Sequence, residues 1–437
     1  MENRVLRLFD MSDPGTGKTR CRLEAFSKRR TQGGKCALIF APKSILETAW
    51  LEDNQQYTPW LKLQCCYAEN REKAFSTPAD IYVTNHDATK WVAKQPPKFF
   101  AKFDTLICDE LGAFKHHTSQ RSRALNKIKK YFPIRIGMNG APNTNTILDI
   151  WNQVNILDDG KHLGSSFFAF RNVACTPVQV GPQANMLKWE DKPGIATTVA
   201  DLLKDMMIRH ELQRETDIPV ENTVPFILSP KLAKAYQEME KDAISFLETG
   251  EVKAINAAAV ATKLLQIASG AVYDGNDNYH VIDTSRYELV ADLVEARKFC
   301  VVFFIWKHQR DLLIEEFKRR KITHTVIDGD VSKNNRVTAT KHFQAGFYKV
   351  MLAQPQSTAH GLTWTKGTST IWPSPTSNLE HYIQGNHRTD RTGQKERCEV
   401  VNIVAKGSYE EHRFKMREHK NIGLSELTEY FKHAAPK

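Results

Sequence analysis

A glycine-rich stretch near the start of the chain has the composition of a phosphate-binding loop. It reads S-D-P-G-T-G-K-T and runs from Ser12 to Thr19. Backbone N–H groups of such a loop and of the helix that follows can face phosphates. Lys18 would reach the β- and γ-phosphates of a nucleotide, and Thr19 would ligate Mg²⁺. The residues predicted to bind the nucleotide here are Gly15, Thr16, Gly17, Lys18 and Thr19. The full pattern G-x-x-x-x-G-K-[ST] would begin with a glycine at position 12, where this chain has serine.

A second candidate site is an apolar run that ends in two carboxylates. Leu106–Glu110 reads L-I-C-D-E and predicts a strand with both acids at its carboxyl end. There Asp109 can hold Mg²⁺ through water, and Glu110 can polarise an attacking water. Alone, the pair could simply be a solvated strand end. Together with the glycine-rich loop, it predicts a site that hydrolyses a nucleotide bound with Mg²⁺.

The elements that must position these residues form two groups of strands separated by helical patterns. Short apolar runs rich in β-branched residues predict strands, and strands that alternate with helices indicate parallel α/β sheets. The runs are Val5–Phe9, Ala37–Phe40, Ile81–Thr84, Thr105–Cys108, Cys300–Trp306, Thr325–Ile327, Lys349–Ala353 and Val400–Val404. The sequence therefore predicts an α/β protein with one parallel sheet in each half.

The middle of the chain has a different pattern. Helical spacing extends over Ala200–Glu215, Lys231–Gly250 and Val252–Ser269, whereas the proline-containing stretch Thr176–Gly194 is typical of a loop. We therefore predict a first lobe over residues 1–160 and a helical insertion and linker over 161–225. The second lobe would cover 226–437 and begin with a helical protrusion.

Charge and cysteine content restrict the partners and the compartment. The chain has 437 residues, and its 61 Lys and Arg against 50 Asp and Glu give a net charge of +11. Such an excess favours a polyanionic partner such as nucleic acid, although a generally basic surface would have the same composition. The eight cysteines form no C-x-x-C pair, and no apolar run is long enough for a membrane span. We expect a cytoplasmic protein without a membrane partner or a signal peptide.

Further segments resemble superfamily 2 helicase-like ATPases of the Swi/Snf type, in particular compact phage or bacterial members. The segments that carry the resemblance are Leu38–Leu46 with Trp50, Val83–His86, Asp109–Lys115, Gly140–Asn145 with Trp151, Ile208–His210, Asp328–Asp330, His360–Thr363 and Gln384–Gln394. The superfamily keeps only the G-x-G-K-[ST] half of the loop, which accounts for Ser12. Two positions depart from the family motifs, since Gly112 replaces the usual His and Asn139 stands where Thr is common.

The resemblance implies two RecA-like lobes and a role for further residues. Arg388 and Arg391 would act as arginine fingers, and a helix would put both on one face because they are three residues apart. Gln384 and Gly361 would belong to the nucleotide site. The nucleic-acid contacts would be Lys43, Ser44, Lys115 and Asn145. The family's upstream glutamine motif is missing, since the eleven residues before Ser12 contain no Gln. Either the chain is truncated or adenine is held differently.

The function expected from these patterns is an ATP- and Mg²⁺-dependent motor, a monomeric DNA-stimulated ATPase that translocates on double-stranded DNA. One alternative is a helicase that separates or anneals branched DNA or RNA. A third hypothesis is a nucleotide-gated scaffold with little turnover, which Gly112 and the missing glutamine motif would favour.

Overall fold

The computed structural model describes residues 7–142, 146–179, 186–213, 215–248, 254–274, 278–357, 362–376 and 378–418. The chain divides after residue 213 into two compact units, which are called lobe 1 and lobe 2 below. Asn145 and Gly361, two of the predicted site residues, lie outside the described ranges. Within those ranges, none of the helices is both long and apolar enough to cross a membrane.

Lobe 1 is built on a parallel sheet. Its strands are β1 (Arg7–Asp10), β2 (Cys36–Ala41), β3 (Leu63–Cys65), β4 (Ile81–Asn85), β5 (Phe103–Asp109), β6 (Ile134–Met138), β7 (Cys175–Gln179), β8 (Leu187–Asp191) and β9 (Met207–Ile208). Seven of them form one sheet in the order β3-β4-β2-β5-β6-β1-β9, and every pair in it is parallel. β7 and β8 pair with each other in a separate antiparallel hairpin.

Helices cover both faces of the lobe 1 sheet. They are α1 (Lys18–Thr31), α2 (Glu52–Tyr57), α3 (Arg71–Ser76), α4 (Thr89–Val92), α5 (Pro97–Phe100), α6 (Gln120–Ile128), α7 (Leu148–Asp158), α8 (Phe167–Ala174) and α9 (Ile195–Leu203). Alternate residues of a strand point to opposite faces. Leu38 and Phe40 of β2 therefore join one hydrophobic cluster, and Ala37 and Ile39 join another. Burial on both faces explains why β2 is continuously apolar.

Lobe 2 repeats this architecture with a second parallel sheet. Its strands are β10 (Val220–Phe226), β11 (Ala271–Tyr273), β12 (Tyr279–Val281), β13 (Cys300–Phe303), β14 (His324–Ile327), β15 (Val350–Ala353), β16 (Ser369–Trp372) and β17 (Glu399–Ala405). Six of them form a sheet in the order β10-β17-β16-β13-β15-β14. The helices are α10 (Pro230–Glu248), α11 (Ala254–Ala268), α12 (Ser285–Glu295), α13 (Lys307–Arg319), α14 (Lys333–Gln344) and α15 (Leu379–Asn386), and residues 409–418 are also helical.

The predicted α/β class with two parallel-sheet lobes is confirmed, and each predicted run overlaps a strand. Two predictions for the middle of the chain are wrong. The helix predicted over Ala200–Glu215 ends at Leu203, because Met207 and Ile208 pair with β1 and extend the sheet. The stretch predicted to be a loop, Thr176–Gly194, contains most of the β7–β8 hairpin. Pro177 is tolerated there because a two-stranded hairpin has only edge strands. The domain boundaries at residues 160 and 225 stay predictions.

Parallel strands end at the same edge of a sheet, and this edge positions the candidate site. In open α/β sheets, ligands bind outside the carboxyl ends of the strands. In lobe 1 the phosphate loop follows β1, Lys43 follows β2, Asp109 ends β5 and Asn139 follows β6. The fold therefore brings segments that are distant in sequence to one edge of lobe 1.

Candidate nucleotide site

The glycine-rich loop turns sharply from β1 into α1. Gly15 and Gly17 have φ values of 86° and 78°, in the left-handed region that favours glycine. Gly17 immediately precedes Lys18, the first residue of α1. The hydroxyl of Thr16 donates to the carbonyl oxygen of Asp13 at 2.8 Å, which closes the turn. The loop thus ends at a helix N-terminus, where backbone N–H groups can bind an anion.

The Lys18 side chain lies back against the loop that precedes it. Its Nζ donates to the carbonyl oxygens of Ser12 and Asp13 at 2.6 and 2.9 Å. Those two contacts hold the ammonium group inside the curve of the loop. A phosphate bound at the start of α1 would meet this charge, so the loop fits the group predicted for it.

Ser12 anchors the loop to the segment that follows β9. Its side chain is buried, and its Oγ accepts a hydrogen bond from the backbone N–H of His210 at 3.0 Å. Arg209 adds two contacts, from Nη1 to the Met11 carbonyl oxygen at 2.9 Å and from Nη2 to Asp13 Oδ1 at 2.8 Å. A glycine at position 12 would lack the Oγ acceptor. The departure from the full loop pattern therefore has a structural use in this chain.

Asp109 is buried at the end of β5, and both its carboxylate oxygens are bound. Trp50 Nε1 donates to Oδ2 at 2.9 Å, and the backbone N–H of Glu110 donates to Oδ1 at 3.0 Å. Burial raises the pKa of the Asp109 carboxyl to about 6, while the Trp50 N–H and the positive charge of Lys18 oppose that rise. The loop follows β1 and Asp109 ends β5, so both lie at the carboxyl edge of the lobe 1 sheet.

The backbone turns at Glu110 in a way that few non-glycine residues adopt. Its φ of 50° and ψ of 59° place it in the left-handed region, which re-aims the chain directly after β5. His86, at the end of β4, contacts the carbonyl oxygen of Asp109 through Nε2 at 2.8 Å. Burial lowers the pKa of His86 to about 4, so the imidazole is neutral at pH 7. Because a carbonyl can only accept, Nε2 carries the hydrogen.

The oxygen donors at this edge fit Mg²⁺ when it is bound together with phosphates. Asp109 supplies a carboxylate, and Thr19 supplies a hydroxyl from the first turn of α1. Mg²⁺ is usually held by one or two carboxylates plus substrate phosphates and water. Among the described residues, no group of three or more His, Cys, Asp or Glu side chains could hold a metal ion. The carboxylate of Asp109 and the hydroxyl of Thr19 therefore fit a metal that is bound together with phosphates.

The predicted nucleic-acid contacts of lobe 1 differ in their exposure. Lys43 and Ser44 are exposed in the short 3₁₀ segment Lys43–Ile45 after β2. Lys115 is partly buried, and its Nζ lies 3.4 Å from Asp149 Oδ2 in an ion pair with α7. Any contact of Lys115 with a phosphate would compete with that carboxylate.

In lobe 2, the two predicted arginine fingers follow α15 and are not part of it. The helix ends at Asn386, so the prediction of a helix over both arginines is wrong. The side chain of Asn386 accepts a hydrogen bond from Trp372 Nε1 at 3.0 Å. The backbone then turns, and the side chains of Arg388 and Arg391 still converge. Each donates from Nη1 to the carbonyl oxygen of Leu362, at 3.0 and 3.2 Å respectively.

The two glutamines of this motif are both buried. Gln384 lies in α15, and its Nε2 is 3.4 Å from Glu380 Oε1. Gln394 Nε2 donates to the carbonyl oxygens of Gly367 and Thr389 at 3.1 and 3.0 Å. Gln394 therefore ties together the turn that carries the arginines.

Sequence reasoning missed the residues that orient the site. Trp50 was known only as a position of its motif segment, yet its indole N–H donates to Asp109. His86 and Arg209 were known only as motif positions, and nothing in their spacing indicates the backbone carbonyls that they contact. A signal existed only for Trp50, since an indole N–H buried in a core needs a hydrogen-bond acceptor.

Comparisons with known proteins agree with these motifs. Residues 8–270 match the model of the SNF2-related domain, and residues 285–393 match the helicase conserved C-terminal domain. A putative protein p41 of Acyrthosiphon pisum secondary endosymbiont phage 1 is 26% identical over 91% of this chain and 89% of its own length. An uncharacterized ATP-dependent helicase of Mycoplasma genitalium is 25% identical over 91% of this chain but only 38% of its own length.

A solved structure of the Sulfolobus solfataricus SWI2/SNF2 ATPase core in complex with dsDNA aligns with 98% of this chain and 90% of its own, at 18% identity and a TM-score of 0.43. The SNF2-related domain model alone covers more than half of the sequence. The chain therefore belongs to the SNF2-related family of helicase-like ATPases.

Proposed function

We propose that this protein is an ATP-dependent motor that translocates along double-stranded DNA without separating its strands. Membership of the SNF2-related family supports the motor, because the Swi/Snf branch mostly tracks duplexes. The net charge of +11 supports a polyanionic partner. A bacterial or phage-infected cell as its setting is supported by the phage and Mycoplasma relatives.

Four residues of lobe 1 carry the proposed nucleotide chemistry. Lys18 and the N-terminus of α1 would bind the phosphates, and Thr19 and Asp109 would hold the Mg²⁺ that accompanies them. Mg²⁺ supplies charge neutralisation for the phosphoryl oxygens. Glu110 orients and polarises the attacking water. The contacts of Trp50 and of the Glu110 N–H with Asp109 support this assignment, since they fix the carboxylate before any ligand binds.

Arg388 and Arg391 of lobe 2 are proposed to stabilise the charge that develops on the transferred phosphoryl group. An arginine in this role can contribute about 10³–10⁵ in rate. Their convergence on one carbonyl oxygen supports a shared task, because both guanidinium groups are held by the same backbone position. Gln384, and Gly361 in the segment outside the described ranges, are the further residues proposed to bind the nucleotide.

Lys43, Ser44, Lys115 and Asn145 are the proposed contacts with the DNA backbone in lobe 1. Contacts with phosphates carry no sequence information, so binding should be weakly sequence-dependent and strongly salt-dependent. The exposure of Lys43 and Ser44 at the carboxyl edge of the sheet supports this assignment.

The observation that carries the proposal is the joint position of Lys18 and Asp109 at the carboxyl edge of lobe 1, where Lys18 begins the helix after β1 and Asp109 ends β5. Its test is the ATPase rate with no nucleic acid, duplex DNA, single-stranded DNA and RNA. We expect strong stimulation by duplex DNA that Lys18→Ala abolishes. Little turnover with every nucleic acid would instead favour the gated scaffold.

A strand-displacement assay on a forked duplex separates the motor from the helicase alternative. The names of the Mycoplasma relatives keep that alternative open. We expect no efficient unwinding by this chain. Efficient displacement of one strand would replace translocation without unwinding by a helicase activity.

A further inference from the structure

Gly112 lies in the 3₁₀ turn Leu111–Phe114 that directly follows the two carboxylates. A Cβ atom at this position would come within 2.9 Å of Asn139 Nδ2, closer than Cβ atoms approach other heavy atoms in proteins. The amide of Asn139 therefore occupies the space that any side chain at position 112 would need. Gly112 and Asn139 both depart from the family motifs, and here they form one packing unit.

Asn139 connects this acidic turn with the strand that leads into the phosphate loop. It is almost fully buried after β6, and its backbone N–H donates to the carbonyl oxygen of Asp10 at 2.9 Å. Its Oδ1 accepts from the N–H of Ala141 at 3.2 Å, and its Nδ2 donates to Gln153 Oε1 at 2.7 Å. One side chain thus contacts the acidic turn, the following backbone turn and α7.

Gln153 carries the connection from Asn139 to the segment that precedes the predicted contact Asn145. It is fully buried in α7, and its Nε2 donates to the carbonyl oxygens of Pro142 and Asp149 at 2.7 and 2.8 Å. The turn that it holds also packs on the phosphate loop. A Cβ atom at Gly140 would lie 3.2 Å from Pro14 Cδ.

The same helix is tied to the acidic turn at two further points. Asn152 Nδ2 donates to the carbonyl oxygen of Phe114 at 2.5 Å, and Asp149 forms the ion pair with Lys115. The phosphate loop, the acidic turn and α7 therefore meet around the Asn139–Gln153 amide pair. A displacement of any one of these segments would disturb buried hydrogen bonds to the others.

We propose that the Asn139–Gln153 amide pair is a positioning device that couples the nucleotide site to the nucleic-acid contacts of lobe 1. This inference rests on the proposed function. Buried amides lose free energy when their hydrogen bonds are left unmade, so Asn139 cannot move without Gln153 and the Pro142 carbonyl moving with it. A change at the acidic turn or the phosphate loop is thereby transmitted to Lys115 and to the backbone that precedes Asn145.

The test compares ATPase kinetics with and without duplex DNA in the full chain. The variants are Asn139→Ala, Gln153→Met, Gly112→Ala and the double variant Gly112→Ala/Asn139→Ala. Gly112→Ala is the mildest, because the φ of Gly112 is not in the left-handed region and only the Asn139 amide opposes a Cβ there. Asn54→Ala is the matched control. Asn54 is also a buried amide of lobe 1, but it bonds only Leu61 and Thr58.

A coupling role predicts a specific pattern of kcat and KM. The ratio of duplex-stimulated to unstimulated kcat should fall at least about five-fold in each single variant, the lower end of typical coupling between two sites. The KM for ATP should stay unchanged. Gly112→Ala should have no further effect in the Asn139→Ala background, because the amide that it displaces is gone. Asn54→Ala should lower thermal stability and keep the wild-type ratio.

Two outcomes would overturn the inference alone. In the first, Gly112→Ala and Asn139→Ala keep both the stimulated and the unstimulated wild-type rates. In the second, both rates fall in the same proportion, as a purely structural pair would give, so that the stimulation ratio stays at its wild-type value. Failure of the proposed function would be visible in the wild type itself. In that case duplex DNA would not stimulate the ATPase, and a non-hydrolysable ATP analogue would not change the affinity for a fluorescent duplex. The inference would then fall with it.

Discussion

At the scale of single residues, Trp50 orients the carboxylate of Asp109 through a hydrogen bond. Asp109 lies at the end of an apolar strand, where an unassisted carboxylate would be costly to bury. The indole N–H of Trp50 binds one of its oxygens and the Glu110 N–H binds the other. The carboxylate is therefore both stabilised and oriented for its proposed role as a Mg²⁺ ligand. Trp50 is a positioning residue, since it acts through Asp109.

Replacement of Trp50 by Phe should weaken the use of Mg²⁺. The variant keeps most of the aromatic packing but loses a hydrogen bond to a charged group, which is worth about 1.5–3 kcal/mol. We expect the half-saturating Mg²⁺ concentration for ATP hydrolysis to rise about ten-fold or more on that basis. The control is Trp60→Phe, because Trp60 is an exposed residue of the same lobe whose Nε1 donates to Ser27. An unchanged Mg²⁺ dependence in Trp50→Phe would contradict this role.

Ser12 offers a second test at this scale. Ser12→Gly restores the full G-x-x-x-x-G-K-T pattern, yet it removes the oxygen that accepts from His210. A buried hydrogen bond of this kind contributes about 0.5–1.5 kcal/mol, and glycine adds freedom to the unfolded chain. We therefore expect a lower melting temperature and a higher KM for ATP. Tighter ATP binding by the Ser12→Gly variant would show that the serine is not an anchor.

At the scale of elements, burial on both faces of a strand determined whether that strand could be predicted from the sequence. The strands β2 and β13 and the run Leu106–Cys108 of β5 are covered on both faces, so these residues are apolar throughout and could be predicted. β6 was missed because its run I-R-I-G-M contains Arg135 and Gly137. Arg135 is buried there only because its guanidinium binds Asp159 and the carbonyl oxygen of Ile156. Such tertiary partners leave no mark in the local pattern.

The candidate site, like the strands, could be predicted only where it depends on local sequence patterns. The glycine-rich loop and the acidic strand end are local patterns whose geometry follows from a strand, a turn and a helix. The bond from Trp50 to Asp109 spans 59 residues and depends on the π-helical segment Leu46–Leu51 that carries the tryptophan. The turn after α15 depends likewise on Trp372, which binds Asn386 from the neighbouring strand. These contacts could not be predicted from the spacing of the residues.

The packing of α15 on its sheet gives a prediction for this element. A Cβ atom at Gly385 would lie 3.0 Å from both Phe303 Cε2 and Trp372 Cζ2. Gly385→Ala should therefore destabilise lobe 2 by about 1–3 kcal/mol through overpacking. The control is Gly329→Ala, where the nearest atom to the added Cβ is 4.0 Å away. Thermal unfolding of the full chain measures both, and equal melting temperatures would contradict close packing at Gly385.

At the scale of the whole molecule, the excess of basic residues should appear in the salt dependence of DNA binding. If Lys43 contacts one phosphate, Lys43→Ala should weaken binding similarly for all sequences and reduce the slope of log K against log salt by about 1. Lys28→Ala removes the same charge from the last turn of α1, a helix that begins at the carboxyl edge and runs away from it. If both variants reduced the slope of log K against log salt equally, the net charge alone would explain the salt dependence, and Lys43 would not be a specific phosphate contact.

The proposed function requires that ATP hydrolysis drive movement along an intact duplex. Displacement of a third strand from a triplex on duplex DNA measures this movement directly, with release of the duplex strands monitored in the same reaction. We expect ATP- and Mg²⁺-dependent release of the third strand alone, and no release by Lys18→Ala. Duplex-stimulated ATP hydrolysis without any release of the third strand, or release of the duplex strands as well, would contradict it.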